Sequence, residues 1–256
     1  MTKSRLFVRS HWSWAGIPAL LIMWILLASR LPEYVLPQPW HVAAEALHWV
    51  RDGKLWPQLH ASLVEETVGF GAAAAASLAI GMAAGISRPV REFVTPVSAL
   101  FMSIPPVAWA PLTMIVFGLG MPAIVAVIFV AAAFPMATTI QQGVEGIAGG
   151  EVRAARTLGA SRRQLLLNVY LPASLPAITA ALRIGFSQAW RALVAAEMIG
   201  ATRGIGWMVS MGGQVGNADQ VLLGMVLIGV IAWLMESLVF RRIESHYQHW
   251  HKGDAR

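Results

Sequence analysis

The feature that most constrains this chain is the recurrence of apolar runs long enough to cross a lipid bilayer. A helix needs about 20 mainly apolar residues to traverse a hydrocarbon layer about 30 Å thick. Six segments meet that requirement, near 14–31, 62–86, 94–118, 121–141, 174–200 and 220–240. Pro96, Pro105, Pro106, Pro111, Pro122 and Pro135 interrupt the third and fourth, so neighbouring helices must compensate the backbone groups these prolines leave unbonded. With 57% apolar and only 12% charged residues, the balance is that of a chain solvated by lipid. The expected fold is all-α: a polytopic membrane bundle of about six transmembrane helices.

A net charge of +6 and a pI near 10.5 would suggest nucleic acid for a soluble protein. In a membrane protein basic residues mark the cytoplasmic loops instead, and no nucleic-acid partner is expected. If both termini are cytoplasmic, thirteen Lys and Arg lie on that side against four on the other, Arg30, Arg51, Lys54 and Arg203. This predicts a cytoplasmic segment over 1–13, a transmembrane domain over 14–240 and a cytoplasmic tail over 241–256. The first run, flanked by Trp12 and Trp14, reads as an uncleaved span rather than a signal peptide. The outer connection from Pro32 to Ala61 has amphipathic spacing over His41–Val50, which suits a helix lying along the outer surface. Trp12, Trp14, Trp207 and Trp250 suit the membrane interface. Cysteine is absent, and His246, His249 and His251 read as a solvated tail rather than a metal site.

The longest cytoplasmic connection runs over 142–172. From Gly146 to Pro176 it reads GIAGGEVRAARTLGASRRQLLLNVYLPASLP, which predicts two short helices joined by a turn and ended by proline. Val152, Ala155 and Leu158 share one face of the first helix, with Arg153 and Arg156 pointing elsewhere. Gly159 suits a helix C-terminus and Ser161 a following N-cap, while Pro172 and Pro176 lead into the fifth span. The chain contains no GxxxxGK[ST] sequence, so it cannot itself hold a nucleotide by a P-loop, and any ATP chemistry must come from a partner.

Ala154-Ala155, then Gly159, then Val169-Tyr170-Leu171-Pro172 after nine intervening residues resembles the EAA loop of ABC importer permeases. That pattern is Glu-Ala-Ala, three residues, Gly, nine residues, Ile-x-Leu-Pro. Arg153 stands where the family's Glu is usual and Val169 replaces Ile, so a salt bridge attributed to that Glu is not expected here. Leu36-Pro37-Gln38-Pro39, the run from Ile104 to Leu112, Phe117-Gly118, Leu193-Val194-Ala195-Ala196-Glu197 and Ala201-Thr202-Arg203-Gly204-Ile205-Gly206 are similar to the permeases for taurine, sulfonates, nitrate and bicarbonate.

This resemblance implies a type I importer in a bacterial inner membrane. Its parts would be two permease copies forming a homodimer, a dimer of ABC ATPase subunits, and a periplasmic or lipoprotein solute-binding protein. It implies no cofactor bound by this chain, with ATP and Mg in the partner ATPase, and a small anionic solute. By the same analogy Ala154, Ala155, Thr157, Leu158, Gly159 and Ala160 dock the ATPase, and Gly159 is the residue on which the turn depends.

Arg183 and Arg191 fall inside the fifth apolar run, where a charge must face protein or water. Arg183, Ser187, Trp190, Arg191, Val194 and Glu197 lie within an arc of about 120° on one helix face. Two readings stay open. The stripe lines an anion path, or its charges pair with acids such as Glu236, Glu65 or Glu66; for Glu197 the structural tie is the stronger reading. Gly81 and Gly85 form a small-xxx-small pair that lets helices approach. An intramembrane enzyme lacks support, since no GxSxG, no HExxH and no aspartyl pair is present. A secondary transporter would show more spans, an internal repeat or a relay of midplane acids; it is the nearer alternative.

Overall fold

A computed structural model describes residues 9–147 and 149–240. Among the described residues all regular structure is helical. The helices are α1 (Arg9–Ala28), α2 (Pro39–Arg51), α3 (Leu55–Ile86), α4 (Arg88–Ser103), α5 (Trp109–Phe117), α6 (Met121–Glu145), α7 (Gly149–Thr157), α8 (Arg162–Leu165), α9 (Leu171–Gly200), α10 (Ile205–Gln214) and α11 (Ala218–Met235).

Four helical stretches are long and apolar enough to cross a bilayer: Leu55–Ile86, Met121–Glu145, Arg162–Gly200 and Ala218–Leu238. They fall on four of the expected spans. The run expected over 94–118 is not one straight span: α4 and the stretch Pro106–Phe117 meet at 85°. Pro105 and Pro106 cannot donate backbone hydrogen bonds, and proline disfavours helical backbone in the residue before it. Ile104 is accordingly extended, at φ −93° and ψ 121°. The first expected span is a shorter apolar helix, Gly16–Ala28; its end is anchored where the Trp24 indole donates to the Pro37 carbonyl at 3.0 Å. The tail over 241–256, with its three histidines, lies outside the described residues, as do residues 1–8 and the side chains of Trp12 and Trp14.

Helix α6 is the axis of the bundle. Ile124, Val127, Ile128, Ala132, Met136 and Ile140 are all but inaccessible, because α3 and α9 pack along its length. Contact with α3 rests on a stripe at every fourth residue: Gly69, Ala73, Ser77, Gly81 and Gly85, all buried. A Cβ on Gly81 would fall 2.8 Å from the Ala137 carbonyl and 2.8 Å from Ile140 Cβ. The Ser77 hydroxyl crosses the same contact to donate to the Ala133 carbonyl at 2.8 Å. The expected Gly81–Gly85 pair is therefore the end of a five-residue seam. Small side chains let the two backbones approach, and close packing drives association where lipid removes the hydrophobic incentive.

On the opposite side to α7, α2 does not simply lie on the surface. Val42 and Trp49 are buried and form a second apolar cluster with Leu55, Met208 and Leu223, which fixes α2 to α10 and α11.

Candidate coupling loop and intramembrane polar groups

The loop begins where α6 ends. Glu145 in the last turn of α6 accepts from Arg91 Nε at 2.8 Å and from Gln141 Nε2 at 3.0 Å. Arg91, in the first turn of α4, also donates to the Ala84 and Gly85 carbonyls at 3.3 Å each. These carbonyls belong to the last turn of α3, which lacks intrahelical donors, and a cation there is favoured by the helix dipole. One arginine thus ties the C-terminal ends of α3 and α6 at the root of the loop. Sequence reasoning used Arg91 only as a topological charge; its partners lie too far along the chain to leave a local signal.

Helix α7 closes with two bonds of the kind that terminate helices in a left-handed glycine. The Ala160 amide donates to the Ala155 carbonyl at 3.0 Å and the Gly159 amide to the Arg156 carbonyl at 2.9 Å, which is a Schellman arrangement. Gly159 has φ +82°, a conformation that a side chain disfavours. Ser161 then caps α8: its hydroxyl accepts from the Gln164 amide at 3.3 Å and the Gln164 side chain accepts from the Ser161 amide at 2.8 Å. This reciprocal pair is a capping box.

Proline does not stop the second helix, contrary to expectation. The chain runs from Arg162 to Gly200 as one long helical stretch through a widened turn, Leu166–Tyr170, in which the Leu171 amide bonds to the Leu166 carbonyl. This five-residue turn shifts the hydrogen-bond ladder just before Pro172, whose missing N–H falls in the first turn of α9.

Val152 and Leu165 face inward and are buried. Ala154, Thr157 and Gly159 are exposed and Ala155 and Ala160 partly so, while Leu158 is 88% exposed at the apex. The expected docking residues therefore form one continuous turn with a bare leucine at its tip. Arg153 enters no ion pair among the described residues.

The residues expected on one stripe of α9 divide. Arg183, Ser187 and Arg191 are exposed, whereas Trp190 and Glu197 are buried. Arg183 forms an ion pair with Glu236, one of the acids anticipated for it. Arg191 folds back on its own helix, donating from Nε to the Ser187 carbonyl and from Nη2 to the Ser187 hydroxyl, both at 2.9 Å. The Trp190 indole donates to the Ile228 carbonyl of α11 at 3.2 Å.

Glu197 looks the other way. One carboxylate oxygen accepts from the Ser62 hydroxyl of α3 at 2.5 Å and the other from the Gly206 amide at 2.6 Å. Ser62 in turn accepts from the Ile205 amide at 2.9 Å, and Gln58 accepts from the Gly204 amide at 2.9 Å. The first amides of α10 are thereby satisfied by α3 and α9 side chains, as a buried helix N-terminus requires. Gly204, at φ +118°, leaves no room for a Cβ beside the Glu197 carboxylate, which a Cβ would approach within 2.6 Å at Oε2. Arg191 and Glu197 sit at opposite edges of their arc, about 120° apart, so they do not meet. Glu65 lies against Glu197; Glu66 is also buried, and neither of its oxygens has a partner among the described residues.

A bundle of spanning helices with a capped, outward-facing helical loop between its fourth and fifth expected spans defines a polytopic membrane protein that presents one ordered turn outside the bundle. Residues 75–248 match the family described as binding-protein-dependent transport system inner membrane component. The chain belongs to this family of ABC importer permeases. It is 37% identical over 242 residues to the taurine transport system permease protein of Escherichia coli, covering 92% of this chain and 88% of that protein. It is 32% identical over 228 residues to the nitrate import permease protein of Leptolyngbya laminosa, covering 86% and 81%. In fold it is similar to a chain of the inward-facing MetNI methionine ABC transporter, at TM-score 0.65 and 24% identity, covering 78% of this chain and 98% of that one. An amino acid ABC transporter gives TM-score 0.60 at 18% identity, covering 79% and 97%.

Proposed function

We propose that this chain is the permease of an ATP-driven importer for a small oxyanion, working as a homodimer. A pair of ATPase subunits seats on the α7–α8 turn, and a solute-binding protein delivers cargo from the opposite side. Both termini are cytoplasmic, with the transmembrane domain over 14–240 and the coupling loop over 142–172. ATP and Mg are held by the ATPases. The observation that carries this reading is the exposed Leu158 at the apex of a turn fixed by the Gly159 Schellman bonds and the Ser161 capping box. A rigid apolar knob of this kind fits a groove in a partner, and nucleotide-driven closure of two ATPases would then move two permeases as rigid bodies.

The taurine and nitrate permeases among its relatives support an oxyanion cargo. Arg191, exposed on α9 and held in one orientation by Ser187, supplies a fixed cation for the path, with Arg183 and Ser187 on the same exposed side. Trp190 and Glu197 serve this path by holding α9 against α11, α3 and α10.

Co-purification in detergent with the ATPase, comparing wild type with Gly159→Asp, tests the coupling role. The mutant is expected to lose the ATPase while remaining folded and dimeric. A wild-type permease that never retains an ATPase, or a mutant that binds and transports normally, would refute it.

A further inference from the structure

The α7–α8 loop gathers charge that its own fold does not use. Between Gly146 and Pro176 it carries Arg153, Arg156, Arg162 and Arg163 against one acid, Glu151. All four arginines are exposed, and none enters an ion pair among the described residues. The cations at the start of α4 are paired instead: Arg88 with Glu92 and Arg91 with Glu145, both at 2.8 Å.

Local electrostatics do not favour the four positions. Arg153 and Arg156 are three residues apart, so they are neighbours on one flank of α7 and repel each other. Arg162 and Arg163 open the helical stretch Arg162–Gly200 directly after the Ser161 cap. That is a helix N-terminus, where the backbone dipole disfavours a cation. A charge that only marks one side of a membrane can sit anywhere in a loop. These four fall in two pairs, one before and one after the turn that presents the 88% exposed Leu158. The Gly159 Schellman bonds and the Ser161 capping box set the turn between the pairs. A bare apolar side chain at the apex, with cations on both sides of it, is the complement of an apolar groove bordered by carboxylates.

We infer that the ATPase surface receiving this loop is an apolar groove with an acidic rim, so that Leu158 anchors the contact and the four arginines select the partner; this rests on the coupling reading above. Charges around an interface steer encounter and reject wrong partners more than they add affinity. An ATPase with a basic rim would be refused by the same arginines, which would keep the subunits of different importers from mixing. Anionic lipid headgroups carry the same sign of charge, but they offer no groove for a leucine held at the tip of an ordered turn.

The test is the affinity of the purified permease dimer for its fluorescently labelled ATPase, measured by anisotropy in a non-ionic detergent from about 50 to about 500 mM NaCl, a range over which exposed charges become screened. Wild-type affinity is expected to fall about tenfold across that range. Arg153→Gln with Arg156→Gln, and separately Arg162→Gln with Arg163→Gln, should each lower the low-salt affinity about fivefold and flatten the salt dependence. Leu158→Ala should lower affinity and keep the wild-type salt dependence, since it removes apolar contact alone. Arg88→Gln, at a cation outside the loop, should change neither. Dimeric elution is checked for every variant, and the salt series on wild type needs no variant at all. Equal wild-type affinity at low and high salt, or glutamine variants that match wild type in both affinity and salt dependence, would overturn the acidic rim. So would variants that bind the ATPase normally in detergent and lose coupling only in liposomes containing phosphatidylglycerol, an outcome that assigns the arginines to the lipid surface. A wild-type permease that binds no ATPase at any salt would instead overturn the coupling reading.

Discussion

Replacing Glu197 with alanine removes the acceptor that joins three helices. Two donors lose their partner at once: the Ser62 hydroxyl and the Gly206 amide, at 2.5 and 2.6 Å in the wild-type protein. Water cannot take the carboxylate's place easily, because Glu197 is only 1% exposed. A buried donor left unsatisfied costs about 1–3 kcal/mol, so the pair costs about 2–6 kcal/mol. The void left by the side chain adds to this, and partial rotation of Ser62 relieves some of it. The expected loss is about 4 kcal/mol, or about 10 °C in melting temperature at about 2–4 °C per kcal/mol for a chain of this size. Glu197→Gln provides the control. It keeps the shape and one acceptor oxygen but turns an N–H toward one of the two donors, so about 1–2 kcal/mol is expected. The assay is thermal unfolding of the purified permease in detergent, followed by loss of the dimer peak in size-exclusion chromatography. If Glu197→Ala costs less than about 1 kcal/mol, or if glutamine is as damaging as alanine, then Glu197 does not hold the α10 N-terminus and belongs with the exposed cations of α9.

Two further outcomes follow from the packing of α3. Gly81→Val should separate α3 from α6, since even a Cβ falls 2.8 Å from the Ala137 carbonyl; overpacking of about 1–3 kcal/mol or more is expected, read as reduced yield and a lower melting temperature. Valine at Gly71, where a Cβ meets nothing within 4 Å, is the matched control, and equal damage there would sink the seam argument. Arg91→Ala should cost about 1 kcal/mol, since the Arg91–Glu145 pair is about a third exposed and screened accordingly. It should also weaken the stimulation of ATP hydrolysis by loaded binding protein, because the loop loses its anchor to α3. Unchanged stimulation would mean that Arg91 is only a local cap.

Much of the site was legible because it is local. Gly159, Ser161 and Gln164 are within six residues of one another, and the geometry they adopt follows from backbone preferences and short-range capping that any tripeptide-scale reading can anticipate. The long-range partners were not legible. Nothing near Arg91 in sequence points to Glu145, and nothing near Glu197 points to Ser62 or Gly206 rather than to Arg191. The helical arc over Arg183–Glu197 was a correct description of one helix, yet an arc spanning about 120° is wide enough for neighbouring helices to cover one edge and leave the other bare. The trajectory of Leu166–Pro172 was misread for a related reason. A proline ends an isolated α-helix, but a widened turn can absorb it when the following helix is held in a bundle.

Apolar run length determined, by itself, that this chain crosses membranes and roughly where, because burying a backbone in lipid demands continuous helices of fixed length. Gly159, Ser161 and Gln164 determined the turn of one loop, because left-handed glycine and a capping box act within a few residues. Only the tertiary structure decided that α4 and α5 break at Pro105, that α6 is the buried axis, and that Glu197 is a tie while Arg191 faces outward. Those outcomes depend on which helix lies beside which, and packing between residues far apart in the chain is information that a single sequence does not display.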